Sequence, residues 1–212
     1  MADEPLRKRN KKYNIEGHAH FLTCSCYRRM PLLTNDLWRE WLAESIRAAC
    51  VKHSVAVWAY VFMPEHFHVL LKPRRVNYEI AKFEHSFKLS SSRKIIQALL
   101  RSKSPLIEKL RLQRSDGRVA YRFWQPGGGH DLNIWNMNKA VEKAEYCHWN
   151  PIKRKLVKSP EQCHPPVPDT PLLVLRWNDY SKTGRINCSI WSISNSKRGT
   201  THSHVVAKRS AP

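Results

Sequence analysis

Between Val55 and Pro73 the chain carries two runs of strand-forming residues, VAVWAYVF and HFHVLLKP, with only Met-Pro-Glu between them. Parallel strands need a crossover of a dozen or more residues, so these two runs can pair only as an antiparallel hairpin. Pro64 then falls in the turn, where its missing N–H costs no ladder bond. The hairpin also fixes what must surround it. Ahead of it, HAHFLTCSCY reads as a first strand, and TND offers capping side chains to LWREWLAESIRAACVKH, where Leu37, Trp38, Trp41, Leu42, Ile46 and Ala49 recur at helical spacing. Behind it, YEIAKFEHSFKLSSSRKIIQALL predicts a helix that its Ser-rich middle bends or shortens. SPLIEKL reads as a short helix or loop, VAYRFW as a strand, PGGGHDLN as a loop, and WNMNKAVEKAEYCHWN as a helix that stops at Pro151. This order predicts an α+β fold: a ferredoxin-like (split βαβ) antiparallel sheet with helices on one face.

At 212 residues the chain has room for one well-buried core. Residues 1–16 read as a basic flexible arm, 17–161 as the folded domain and 162–212 as an atypical, disordered basic tail, Pro-rich at QCHPPVPDTP and then rich in Ser and Thr. The formal charge is +20, which points to a polyanionic partner, nucleic acid before a membrane surface. No apolar run approaches the roughly 18 residues of a spanning helix, and MADEPLRKRNKKYN lacks the apolar centre of a signal peptide, so no membrane role and a cytoplasmic location are expected. The six cysteines show no C-x-x-C spacing, which fits reduced thiols.

Two places carry chemistry. On a strand, residues i and i+2 share a face, so His66 and His68 present two imidazoles together while Phe67 points into the core, an arrangement suited to a divalent metal and equally to histidines hydrogen-bonded at a sheet surface. On the last helix, a 100° wheel puts Met137, Ala140, Val141, Ala144 and His148 on one side and Tyr146 well away from them, near Lys139, Lys143 and Asn150. Tyr146 therefore does not belong to the core stripe of its own helix. Asn150 follows one turn later, with Pro151 disfavouring helical geometry at that position.

Together, YVFMPEHFHVLLKP and, some eighty residues on, AEYCHWNPIKRKLV resemble the single-tyrosine HUH transposases of bacterial insertion sequences, and among them the REP-associated tyrosine transposases. HFLTCSCYRRMPLLTN and FWQPGGGHD are similar to family segments, and the resemblance spans about residues 13–161. It implies an enzyme whose tyrosine attacks a phosphate of single-stranded DNA beside a hairpin formed by a palindrome, giving a 5′-phosphotyrosine link and a free 3′-hydroxyl. Residue by residue it makes Tyr146 the nucleophile and His66, His68 and Asn150 the ligands of a divalent metal, Mg²⁺ or Mn²⁺; two imidazoles suit Mn²⁺ at least as well. It also implies a bacterial, nucleoid-associated protein acting as a monomer or homodimer.

Around these motifs Arg74, Arg75, Lys153, Arg154 and Lys155 are candidates to hold DNA phosphates. Trp124, Trp135 and Trp149 are candidates to stack on bases. His130 and Asp131 are candidate accessory residues or loop anchors, and Glu65 a candidate outer carboxylate beside the histidines. The alternative readings are a non-catalytic single-strand-binding module, a metal hydrolase built on the histidine pair, and a transposase remnant inactivated where SPEQ runs into CHPPVPDTPLL, as a change of reading frame would produce.

Overall fold

The computed structural model describes residues 11–127 and 129–158. The expected tail and the first ten residues of the expected arm lie outside them.

Among the described residues the strands and α-helices follow in the order β1 (Ala19–Ser25), α1 (Asp36–His53), β2 (Val55–Met63), β3 (His66–Pro73), α2 (Ile80–Arg101), α3 (Leu106–Leu110), β4 (Arg111–Gln113), β5 (Val119–Tyr121), β6 (His130–Ile134) and α4 (Met137–Lys153). Four strands form one antiparallel sheet in the order β2-β3-β1-β6, the split βαβ arrangement expected from the hairpin. Asn35 caps α1 by accepting from the Trp38 N–H at 3.2 Å, and Asn136 caps α4 by accepting from Lys139 N–H at 2.8 Å.

The sheet is covered on both faces. On one, Leu22, Cys24, Phe67, Val69 and Leu71 meet Leu42 and Ile46 of α1 and Phe83, Phe87 and Ile95 of α2. On the other, a smaller layer of Ala19, Phe21, Val61, Met63, Leu70 and Ile134 meets Ala140 and Cys147 of α4. The expectation of helices on one face thus holds for α1 and α2, the crossover helices, while α4 lies across the opposite face. Phe67 is fully buried among the rings of Phe62, Phe87 and Trp124, a burial that contributes about 2 kcal/mol and leaves its neighbours His66 and His68 no choice of face.

Four local readings change. The fourth strand of the sheet is β6, in the segment read as a loop, whereas β5 pairs only with β4 in a separate hairpin. β6 is short, polar and preceded by glycines, so nothing local announces it; its partner β1 makes it. The serines do not break α2, because Ser91 Oγ donates to Phe87 O at 2.7 Å and lies 3.3 Å from the indole nitrogen of Trp124, within hydrogen-bond reach. α4 runs on through Pro151 to Lys153, with Arg154 N–H and Leu156 N–H closing onto Asn150 O and Pro151 O. Last, part of the arm is held: Lys12 pairs with Glu84, Asn14 Oδ1 accepts from the Ile80 N–H at 3.0 Å, and Ile15 O accepts from Tyr78 OH at 2.8 Å.

Candidate active site

The β2–β3 turn and the start of β3 set the two histidines. Their Nε2 atoms face each other 3.0 Å apart. Two nitrogens each about 2.1 Å from one ion and at right angles stand about 3.0 Å apart, so the pair has the spacing of adjacent ligands. The remaining ring nitrogens are occupied. His66 Nδ1 donates to Glu65 Oε1 at 3.0 Å, since a carboxylate only accepts, and Arg154 donates to the same oxygen. His68 Nδ1 meets Thr23 Oγ1 at 2.7 Å. A hydroxyl can donate or accept, so Thr23 serves either tautomer of His68. Partners of this kind orient metal-ligating imidazoles.

Electrostatics keep both rings neutral. Burial pushes His68 down to about 4, with His66, His130 and Lys143 adding to the shift. Burial also lowers His66, against the opposing pull of Glu65. Burial alone would raise Glu65, but its hydrogen bond from Arg154 and the nearby charges hold it below the usual carboxylate range, so it stays ionised.

The tyrosine arrives from the other layer. α4 crosses the histidine-bearing face and sets the Tyr146 ring edge-on against His68, centroids 5.2 Å apart, and against Phe21 at 5.9 Å. Tyr146 remains 39% exposed. Lys143 Nζ lies 5.8 Å from the Phe21 ring and 5.9 Å from the Tyr146 ring. The buried residues of α4 are Ala140, Cys147, Asn150 and Pro151, with Ala144 half-buried and Met137 52% exposed, so the buried side is rotated toward Tyr146 relative to the wheel read from sequence. Asn150 is helical and buried, and its side-chain Nδ2 has no hydrogen-bond partner. Turning that amide by 180° would put its oxygen there instead. Among the described residues no three His, Cys, Asp or Glu side chains converge. Asn150 lies one turn of α4 beyond Tyr146, and a buried amide with an orphaned end has the chemistry of an oxygen ligand.

Three comparisons bear on the site. Residues 13–115, which include the histidine strand and end before α4, match the family model described as Transposase IS200 like. Over that segment, 13–115, the chain is similar to the IS200-like transposase family. A solved structure of a REP-associated tyrosine transposase bound to a REP hairpin matches with a TM-score of 0.58 at 16% identity, over 94% of this chain and 99% of that one. At that identity the likeness is one of fold. A chain from Deinococcus radiodurans R1 described as a candidate transposase matches with a TM-score of 0.39 at 17% identity, over 70% of this chain and 97% of that one. No curated protein matches.

The other sequence candidates divide. His130 sits on the site's face, beyond Thr23 in the row His68, Thr23, His130 across three strands. Asp131 points to the opposite face, where its carboxylate meets His20 Nδ1 at 2.9 Å; it is not a site residue, because adjacent residues of a strand alternate. Glu65, read as a turn carboxylate or an outer acid, is the partner of His66. Arg154 is engaged by Glu65 and ties the end of α4 to the turn, while Lys153 and Lys155 are exposed nearby. Arg74 and Arg75 lie past the far end of β3, and that end, Pro73, is already about 23 Å from His66 at roughly 3.3 Å per residue, so they do not flank the site. Trp124 is buried in the core, whereas Trp135 and Trp149 are 67% and 45% exposed. Sequence reasoning missed Thr23 and Phe21, which only strand register and the angle of α4 bring to the site; Lys143 it had placed beside Tyr146 on the helix wheel. It also missed Gly129, at φ +63°, where a Cβ would lie 2.4 Å from Thr23 O. That glycine lets the loop close onto β1 beside the site.

Proposed function

We propose that this protein is a transposase that cleaves and rejoins single-stranded DNA through Tyr146, forming a 5′-phosphotyrosine intermediate next to a DNA hairpin. The observation that carries the reading is the meeting of two motifs far apart in sequence: the Tyr146 ring of α4 lies against His68, whose Nε2 faces that of His66 at 3.0 Å. A divalent ion, Mg²⁺ or Mn²⁺, held by His66, His68 and Asn150 would supply Lewis-acid polarisation of the scissile phosphate. The chain's own residues do the rest. Glu65 and Thr23 fix the two imidazoles, and Phe21 and His68 hold the phenol on a rigid helix instead of a loop. Lys143, which also pairs with Glu142 at 3.1 Å, stands 5.9 Å from the phenol ring, where its charge can attract the DNA phosphate. Attack by the Tyr146 oxygen forms the phosphotyrosine bond as the 3′-oxygen leaves and takes up a proton. The phosphodiester energy is kept in that bond, so a second 3′-hydroxyl can displace Tyr146 without ATP. The fold-level likeness to a structure holding a REP hairpin, with the charge of +20, supports a hairpin-flanked single strand as substrate.

The test uses single-stranded oligonucleotides from both flanks of the gene, labelled at either end, with Mn²⁺ or Mg²⁺. The expected product is a protein band on a denaturing gel that retains only the 3′ label, requires metal and vanishes in Tyr146→Phe. An adduct that persists in Tyr146→Phe removes Tyr146 from the role. Tight binding with no adduct at either metal favours the non-catalytic module.

A further inference from the structure

Beyond the far end of β3, between the last turn of α1 and the first turn of α2, lies a cleft of about 320 Å³. Lys52, His53, Arg75 and Lys82 line it together with one carboxylate, Glu79, and Tyr78 and Phe83 are its aromatic walls. We propose that this cleft grips backbone phosphates of the double-stranded stem of the hairpin, a contact separate from the active site. The proposal rests on the reading of the protein as a hairpin-directed transposase.

Three observations support it. First, the cleft keeps an excess of positive charge. Lys82 is shared with Glu79 at 2.5 Å, but neither Lys52 nor Arg75 has an ion-pair partner among the described residues, and both are exposed at the rim. Cations lining a concavity focus potential and attract phosphate. Second, the three cations converge. His53 is pushed down first by burial and then by Lys52, Lys82 and Arg75, so their fields add at one imidazole. His53 itself is fixed by Ser86 Oγ at 2.8 Å. Third, the distance suits a stem. The length of β3, about 23 Å, separates the cleft from His66, and duplex DNA covers it in about seven base pairs at roughly 3.4 Å each. A flanking single strand engaged at Tyr146 and a stem reaching Arg75 can thus be parts of one hairpin.

The experiment compares wild type with Lys52→Ala/Arg75→Ala, both exposed positions, with circular dichroism to check folding. Ligands are hairpins with stems of about 4 and about 12 base pairs carrying the same flank, and an unstructured strand of equal length. The double variant is expected to bind the long stem roughly tenfold more weakly, with a salt slope smaller by about 2, and to bind the other two ligands like wild type. Its adduct on the unstructured strand should also be unchanged. Equal loss on all three ligands, or none on the long stem, overturns the proposal. In the wild type, the long stem should raise the His53 pKa read by NMR, because a nearby anion favours the imidazolium. If inorganic phosphate alone reproduces that rise, the cleft is a small-anion site and the stem assignment is wrong. Absence of any adduct with the stem dependence intact would count against the phosphotyrosine reading alone.

Discussion

The sheet holds two histidine–carboxylate pairs, one on each face, and they serve opposite ends. His20 is fully buried beneath α2, with Nδ1 on Asp131 at 2.9 Å and Nε2 on Tyr78 OH at 2.8 Å. Both of its nitrogens are used up, and Tyr78 passes the chain on to Ile15 O, so the pair stitches β1, β6, the start of α2 and the N-terminal segment together. His66 has its Nδ1 on Glu65 in the same way, but its Nε2 meets only another imidazole, in a site that the exposed Tyr146 overlooks. The same two side-chain types thus make a structural clamp where the second nitrogen is closed by a hydroxyl and a candidate metal ligand where it faces a second imidazole. A histidine beside a carboxylate says little by itself; the partner of the other nitrogen decides.

The largest test of that contrast is Asp131→Ala. Removing one partner of a fully buried pair should cost about 3–5 kcal/mol in urea unfolding, with the folded fraction still forming its adduct. A loss below about 1 kcal/mol would mean the clamp is not structural.

Acid should separate the two faces next. The folded state depresses His68 from 6.5 to about 4, so it favours the neutral ring; that stability is present above pH 6.5 and is lost as pH falls toward 4. In chelator, wild type should lose on the order of 2 kcal/mol from this group across that window. His68→Asn should lose less by a similar amount. Identical pH profiles for the two proteins would contradict the assignment.

Glu65→Ala sharpens the comparison from the other side. Its carboxylate is partly exposed and orients His66, so Mn²⁺ binding by calorimetry should weaken by about 10- to 100-fold. Stability should change far less than in Asp131→Ala. The smallest effect belongs to Thr23→Val, which leaves His68 Nδ1 without its hydroxyl: about fivefold weaker Mn²⁺ binding, the size of one neutral hydrogen bond.

How much of this was legible in the sequence follows from the range of each interaction. The β2–β3 hairpin, α1 and the shared face of His66 and His68 are local consequences of a short turn, a 3.6-residue period and a two-residue period, and all were readable. β6 was not, because HDLNI is a strand only through its ladder to β1; missing it also left His130 and Asp131 looking like equivalent loop neighbours when the sheet sends them to opposite faces. The displacement of Tyr146 from its helix's core was visible on a wheel, yet the actual stripe includes Cys147 and Pro151, and only the docking of α4 shows that the tyrosine lies over Phe21 and His68. Arg74 and Arg75 looked near the histidines in sequence, but an extended strand turns a few residues into a long distance.

The proposed function requires that His66 and His68 hold a divalent ion beside Tyr146 while the His20 pair does not. Substoichiometric Mn²⁺ added to protein with labelled histidine and tyrosine rings tests it most directly, by paramagnetic broadening in NMR. The account predicts that the His66, His68 and Tyr146 signals broaden together and first, with His20 and Tyr78 much less affected. Broadening that begins at His20, or that leaves His66 and His68 sharp, would contradict it.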